Sequence, residues 1–230
     1  MTTASPTEPV DIIVPVLNEE EILQEFHTRI CRLNFPINLI FVDNASTDKS
    51  VEIISSFPDA TLIRHQSNEG YGASLIDGIK ASNNSKIVII DADCEYPPEA
   101  IPALVKELDN ADVVYTSRFL DNSNTSMPFL KRKGNQIISS LFNLLFKQNV
   151  TDLYTGCKAI NRSALEGIKL ERKGFEHVLE LGVKLARNNI KITEIPVVFS
   201  PRHTGQAKMK HVSETLKYLY LTLSYYLRVR

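Results

Sequence analysis

The chain has 230 residues, 43% of them hydrophobic and 23% charged, which suffices for one large α/β domain and is ordinary for a soluble globular protein. A formal net charge of −1 excludes general nucleic-acid binding, which needs a basic surplus. Cys31, Cys94 and Cys157 are odd in number and too far apart for a metal-ligand pattern, which points to a reducing, cytosolic setting.

Residues 1–9 (MTTASPTEP) are polar and contain proline, so they read as a disordered tail rather than a signal peptide. No apolar run reaches the ~20 residues needed to span a bilayer. Val10 to Val16 reads as a first strand, and a helix is expected from Leu17-Asn18-Glu19-Glu20 to about Leu33, with Asn18 as its N-cap. Asn38 to Val42 is a second strand. It ends at Asp43-Asn44-Ala45-Ser46-Thr47-Asp48, which offers several N-caps for the helix through Val51 to Ile54. Strand Thr61–Arg64 leads into Asn68-Glu69-Gly70-Tyr71-Gly72-Ala73 and a helix to about Ala81. A fourth strand, Lys86 to Ile90, carries four consecutive β-branched residues and is apolar on both faces, as a buried parallel strand should be. Helix Glu99–Leu108 and strand Val113–Thr116 follow, the latter running into Ser117-Arg118. Strict β-α alternation over these 118 residues predicts a doubly wound, mostly parallel sheet with helices on both faces.

The second half is less regular. Asp121–Pro128 (DNSNTSMP) reads as a polar, mobile loop, and Lys131-Arg132-Lys133 opens an amphipathic helix. Val150–Ile160 reads as a loop and short strand, Glu176–Arg187 as a helix and Ile192–Phe199 as a strand. A last helix spans about Val212–Leu227. No internal repeat and no linker divides the chain.

Chemistry gathers where the strands end. Asp91 and Asp93 close the fourth strand one residue apart, at the edge where open α/β sheets bind ligands. Two carboxylates there suit a Mg²⁺ or Mn²⁺ ion that shares phosphate oxygens, although the same residues could simply cap the next helix. Gly70-Tyr71-Gly72 is a poor dinucleotide fingerprint, since it follows the third strand and Leu75 takes the last glycine's place. Its glycines are better read as letting a loop pass close to a ligand or a neighbouring strand. Arg118, Lys131–Lys133 and Arg202–Lys210 form three basic groups, each either a phosphate contact or a solvated surface charge. No Ser-His-Asp or Cys-His arrangement is legible.

Taken in order, Val14-Pro15-Val16-Leu17-Asn18-Glu19, Asp43 to Asp48, Asn68 to Ala73 and Asp91-Ala92-Asp93 resemble the donor-site motifs of inverting family 2 glycosyltransferases of the GT-A fold. Ser117-Arg118-Phe119, Asp152 to Lys158, Glu194 to Pro196 and Arg202-x-x-Gly205-x-x-Lys208 are similar to the branch that includes dolichyl-phosphate mannosyltransferase and polyprenyl-phosphate sugar transferases. The resemblance covers about residues 10 to 210. It implies a GT-A domain over 10–211, followed by an amphipathic helix over 212–230. Pro15, Glu19 and Asp43 are implied to line the nucleoside pocket, with Gly70 also on the donor side. Asp91 and Asp93 are implied to hold Mg²⁺ or Mn²⁺ against the diphosphate, beside Glu95 as a third neighbour. Arg118 and Arg132 are implied to meet donor and acceptor phosphates, and Asp152, Arg202 and Lys208 to close the site. Asp93, Arg118, Asp152 and Arg202 form the implied catalytic set, and Arg132, Arg202 and Lys208 the acceptor-phosphate set. Two departures stand out: Asn44 replaces a common second Asp, and Glu95 replaces a usual Gln.

The implied reaction moves a sugar from a GDP- or UDP-linked donor to a polyprenyl or dolichyl phosphate, with inversion. Such an acceptor is already ionised, so no general base is needed. A same-fold enzyme with a soluble or protein acceptor would need a base such as Glu176 or Glu180, and a non-catalytic sugar-nucleotide-binding module is the third reading. The final helix, with Leu216, Leu219, Tyr220, Leu223, Tyr226 and Leu227 on one face and arginines at its end, is expected to lie on the cytoplasmic face of a membrane. Packing on the sheet or on a second subunit is the alternative.

Overall fold

The structure, a computed structural model, describes residues 8–120, 127, 129–200 and 211–227, with side chains for all of these except 129–131 and 211–214. Most of the N-terminal tail and of the Asp121–Pro128 loop, together with Arg202 and Lys208, lie outside the described residues. Strands β1 (Val10–Val16), β2 (Ile37–Asp43), β3 (Ala60–Arg64) and β4 (Lys86–Ile90) alternate with helices α1 (Leu23–Ile30), α2 (Ser50–Ser55) and α3 (Tyr71–Ala81). After β4 come a 3₁₀ turn at Pro98–Ala100, α4 (Ile101–Glu107), β5 (Val113–Ser117) and α5 (Phe129–Phe146). Then follow β6 (Cys157–Asn161), a second 3₁₀ turn at Arg162–Leu165, α6 (Glu176–Arg187), β7 (Ile192–Pro196) and α7 (His211–Leu227).

The strands form one sheet in the order β3-β2-β1-β4-β6-β5-β7. Pairing is parallel from β3 to β4 and between β5 and β7, whereas β6 runs antiparallel to both β4 and β5. Alternation along each strand builds two apolar layers. Ile12, Val14, Phe41, Val88 and Ile90 pack under α1, α2 and α4. Ile13, Ile40, Val42, Ile87, Ile89 and Tyr115 pack under α3, α5, α6 and α7. Each such side chain contributes about 1.5–3 kcal/mol of burial.

One expectation is corrected: α1 begins at Leu23, not near Leu17, and Asn18 is not its N-cap. Asn18 sits in the left-handed region at φ 54, and its side-chain oxygen accepts the Thr47 N–H at 2.8 Å. A short amide that bonds another loop is lost to the helix start. The close approach expected at Gly70 and Gly72 is present, and it is made by the polypeptide before α6. A Cβ on Gly70 would lie 2.4 Å from the Lys173 carbonyl oxygen, and one on Gly72 2.2 Å from that of Arg172. Helix α7 packs on the body along one side, where Tyr218 and Thr222 are buried and Tyr218 lies on Tyr154. Its other side leaves Leu216, Tyr220, Leu223 and Leu227 exposed, and Ile137 and Leu144 of α5 are exposed too.

Beside Gly72, His177 of α6 is fully buried and both ring nitrogens lack a hydrogen-bond partner. Burial, helped by Lys158, pushes the imidazole down to about 4 from 6.5. Between these values the unfolded chain takes up a proton that the folded chain refuses, so His177 lowers stability as pH falls. We expect a loss of about 3 kcal/mol from this group between pH ~6.5 and ~4. Thermal unfolding of wild type and His177→Leu across this window measures it, and the variant should lose less stability on acidification.

Candidate active site

Because β1, β2 and β4 are parallel, their carboxyl ends meet on one edge of the sheet, and antiparallel β6 begins at that same edge opposite Ile90. Four loops therefore converge. The β1 and β2 loops are zipped together by reciprocal bonds. Asn18 N–H donates to Ser46 Oγ at 2.9 Å, Glu20 N–H to Asp48 Oδ2 at 3.1 Å and Lys49 N–H to Glu20 Oε2 at 2.8 Å. Glu19 N–H donates to Ser50 Oγ at 2.9 Å. Pro15 is half-buried beside Val42 in this frame. Asp43 is 1% exposed and its two oxygens accept the Ser46 N–H at 3.2 and 3.3 Å, so it braces its own turn.

Asp91 is held from two sides. Tyr71 Oη donates to Asp91 Oδ1 at 2.9 Å, and the Asp91 N–H donates to the Gly156 carbonyl at 3.3 Å. A Cβ on Gly156 would sit 2.2 Å from Asp91 Oδ2, so glycine is what admits the carboxylate there. The turn continues through Cys94 at φ 56, a left-handed residue costing roughly 1–2 kcal/mol. That bend lets Asp93 Oδ1 accept the Glu95 N–H at 2.9 Å. Asp91, Asp93 and Glu95 do not gather as a three-carboxylate cluster. No group of three His, Cys, Asp or Glu side chains suited to a metal occurs among the described residues. The Asp91 and Asp93 pair still fits Mg²⁺ or Mn²⁺, which takes one or two carboxylates and completes its shell with phosphate oxygens.

Arg118 follows the end of β5. Its Nε and Nη2 donate to Asp152 Oδ2 and Oδ1 at 2.6 and 2.8 Å, and Nη2 also reaches the Tyr154 carbonyl at 3.2 Å. Both partners are buried, at 5% and 0% side-chain exposure. The guanidinium lies between the rings of Tyr96 and Phe199, each 5.5 Å away, and Phe119 at 5.7 Å. Burial alone would lower its basicity, but Asp152 outweighs this and raises it. Two of the guanidinium nitrogens, Nε and Nη2, are thus held by Asp152. A buried carboxylate demands such a partner.

Arg132, in the first turns of α5, stands 5.7 Å over the Phe119 ring and is half-buried, close to the same strand end. The polypeptide leading to Arg202 and Lys208 starts beside the Asp93 loop, since Ser200 N–H donates to the Glu95 carbonyl at 3.1 Å. Glu176 pairs with Lys217 at 2.5 Å. Glu180 is 2% exposed and accepts the Glu171 and Arg172 N–H groups while pairing with Lys184. Neither is an open carboxylate.

Four residues at this edge were given no role by sequence reasoning. They are Tyr71, Gly156, Glu194 and Lys158. Glu194 accepts the Thr151 and Asp152 N–H groups at 2.7 and 2.9 Å, and burial pushes its carboxyl up. Lys158 is fully buried with no hydrogen-bond partner on Nζ, over the Tyr115 ring at 5.1 Å. Burial pushes its amine down to about 8, against the opposing pull of Asp91. The signal available was a lone lysine inside the apolar run Cys157–Ile160.

The sequence profile of glycosyl transferase family 2 matches residues 11–169, and the chain belongs to that family. Its fold is of the GT-A type. A dolichol-phosphate mannosyltransferase of Pyrococcus furiosus is 30% identical over 92% of this chain, which spans 62% of that relative's length. A polyprenol monophosphomannose synthase of Mycolicibacterium smegmatis is 26% identical over 90% of this chain and 83% of its own. Glucosyl-3-phosphoglycerate synthase of Mycobacterium tuberculosis shares the fold. Its UDP complex gives a TM-score of 0.72 at 17% identity, covering 96% of this chain and 80% of that one. A complex of the same synthase contains Mn²⁺, UDP-glucose and phosphoglyceric acid, with a TM-score of 0.69 at 18% identity and the same coverage.

Asp152→Ala leaves the buried Arg118 cation unpaired, so we expect a loss of about 3–5 kcal/mol. Unfolding followed by circular dichroism should show Tm lower by roughly 6–20 °C. Replacing both partners, as Arg118→Met with Asp152→Leu, should recover much of the loss. An Asp152→Ala chain that melts like wild type but is inactive would give Asp152 a chemical role instead.

Proposed function

We propose that this chain transfers a sugar from a nucleotide-sugar donor to a polyprenyl or dolichyl phosphate, inverting the anomeric carbon. The observation that carries the reading is the Asp91–Asp93 pair at the end of β4, flanked by the braced loops of β1, β2 and β3. Support for the acceptor class comes from the relatives named for dolichol and polyprenol phosphates. Support for a divalent cation comes from the Mn²⁺ in a protein of the same fold.

In this reading Pro15, Glu19, Asp43 and Gly70 frame the nucleoside, and Asp91 and Asp93 hold the cation, with Glu95 close by. A bound Mg²⁺ or Mn²⁺ would supply Lewis-acid stabilisation to the departing nucleoside diphosphate. Tyr71 and Gly156 fix the Asp91 carboxylate. The Arg118–Asp152 pair fixes the floor beneath, and Arg132, Arg202 and Lys208 hold the acceptor phosphate in line. The phosphate oxygen is already an anion, so it attacks without losing a proton. That no base is needed agrees with Glu176 and Glu180 both being engaged elsewhere, which disfavours a hydroxyl acceptor.

The chain works peripherally, at the cytoplasmic face of a membrane. Among the described residues no helix is long and apolar enough to cross a bilayer. Residues 10–211 form the catalytic unit, and the segment 212–230 adds the contact through Leu216, Tyr220, Leu223 and Leu227 of α7, alongside Leu144 of α5.

Asp93→Asn should abolish Mn²⁺-dependent sugar transfer and leave Tm within a few degrees of wild type. Chelator-treated Asp93→Asn retaining full activity excludes the metal reading. Co-sedimentation with anionic liposomes should pellet the full chain and not one truncated after Val212. Equal behaviour of the two removes α7 as the anchor.

A further inference from the structure

The loop after β3 contains a buried histidine that the proposed reaction does not use. His65 has a side chain 5% exposed, and its backbone N–H donates to the Asp43 carbonyl at 2.9 Å. Its Nδ1 lies 3.0 Å from Asn44 Oδ1, and its Nε2 lies 3.2 Å from Asp77 Oδ2 on α3. What these contacts require depends on which way the Asn44 amide points.

Its neighbours fix that orientation. Asn44 Oδ1 also accepts the Glu69 N–H at 2.8 Å, and Asn44 Nδ2 donates to Asn68 Oδ1 at 2.9 Å. Asn68 is fixed in turn, because its Oδ1 accepts the Gly70 N–H at 3.0 Å. Flipping Asn44 would set an amino group against the Glu69 N–H and an oxygen against an oxygen. Asn44 therefore offers the ring only an acceptor, and the Asp77 carboxylate offers only an acceptor. Two acceptors need two N–H donors, and an imidazole has two only when it is a cation. A neutral ring would leave a nitrogen lone pair facing an oxygen at hydrogen-bond distance. The charged groups around the ring are Asp77 with its partner Lys80 on α3, and Glu69 with its partner Lys173 before α6.

We propose that His65, as an imidazolium, is the positioning residue that holds the β2 loop and the Asn68–Gly70 turn in register for the donor. It ties Asn44 to α3 through Asp77, and through Asn44 it sets Asn68, Glu69 and Gly70. This rests on the donor reading of Asp43 and Gly70 given above.

The test uses the full chain and two readouts. Without nucleotide, ¹⁵N spectra of the ring at pH 6 should show both nitrogens protonated. Exchange of the Glu69 and Gly70 amides, corrected for intrinsic rates, should be faster at pH 8.5 than at pH 6, and fast at both in His65→Gln. A single ring N–H at pH 6, or exchange that ignores both pH and the substitution, overturns the proposal. With Mn²⁺ and either UDP or GDP, the ratio of variant to wild-type Kd cancels titration of the nucleotide itself. It should be about 10-fold at pH 6, the size of one charge-assisted contact, and under about twofold at pH 8.5. A ratio that stays constant with pH overturns the positioning role. Asp77→Asn, at a half-exposed position, should move the fall in affinity to lower pH. If wild type binds neither nucleotide, the donor reading fails, while amide exchange still judges the loop register.

Discussion

Beneath the site lies a buried ion pair on which its floor depends. Asp152 has no exposure and Arg118 almost none, so neither tolerates the loss of the other. Their bidentate contact ties the end of β5 to the loop that starts β6. Glu194 fastens the same loop from β7 by accepting two of its N–H groups, and Thr116 bonds Thr155 at 2.6 Å. With residues 151–155 fixed, Gly156 arrives beside Asp91 with no side chain to displace it. The position of one candidate metal ligand is thus set by charge pairing two strands away. Such a pair contributes geometry more than net stability, since desolvation consumes much of its attraction.

Much of the fold was legible in sequence, because buried parallel strands are long apolar runs and their turns carry polar punctuation. Lys86–Ile90 with Asp91 and Asp93 is a clear case, and Glu176–Arg187 matches its helix at both ends. The α1 boundary failed because Asn18 is equally good at capping a helix or another loop, and only the distant Thr47 decides between them. The antiparallel wedge of β6 was invisible, since pairing direction depends on contacts far apart in sequence. In the site, residue types were readable but their partners were not. Arg118 was expected to meet a phosphate, and its bidentate pairing with Asp152, 34 residues away, could not be read from the sequence. Tyr71 was hidden between two glycines that drew attention to a different motif.

The chemistry that emerges is mostly electrostatic preorganisation. In the proposed reaction the two carboxylates that follow β4 hold a cation against the leaving diphosphate, and their local contacts are a hydroxyl and backbone groups rather than a closed cage. This suits a cation shared with a substrate, which must arrive and depart with each turnover. In the proposed reaction an ionised acceptor removes the need for a base and leaves positioning as the main task. The exposed apolar residues of α5 and α7 lie on helices that pack together, and α7 touches the site loop through Tyr218 and Tyr154. In the proposed function a lipid-borne phosphate is met by this same pair of helices.

The most direct measurement incubates the full chain with Mn²⁺, a polyprenyl phosphate and a panel of α-linked GDP- and UDP-sugars, and determines the anomeric configuration of any lipid-linked product. The account predicts one donor giving a β-linked sugar phosphate on the lipid, with none formed when metal is chelated. An α-linked product, or sugar appearing only on water or a hydroxyl acceptor, would contradict it.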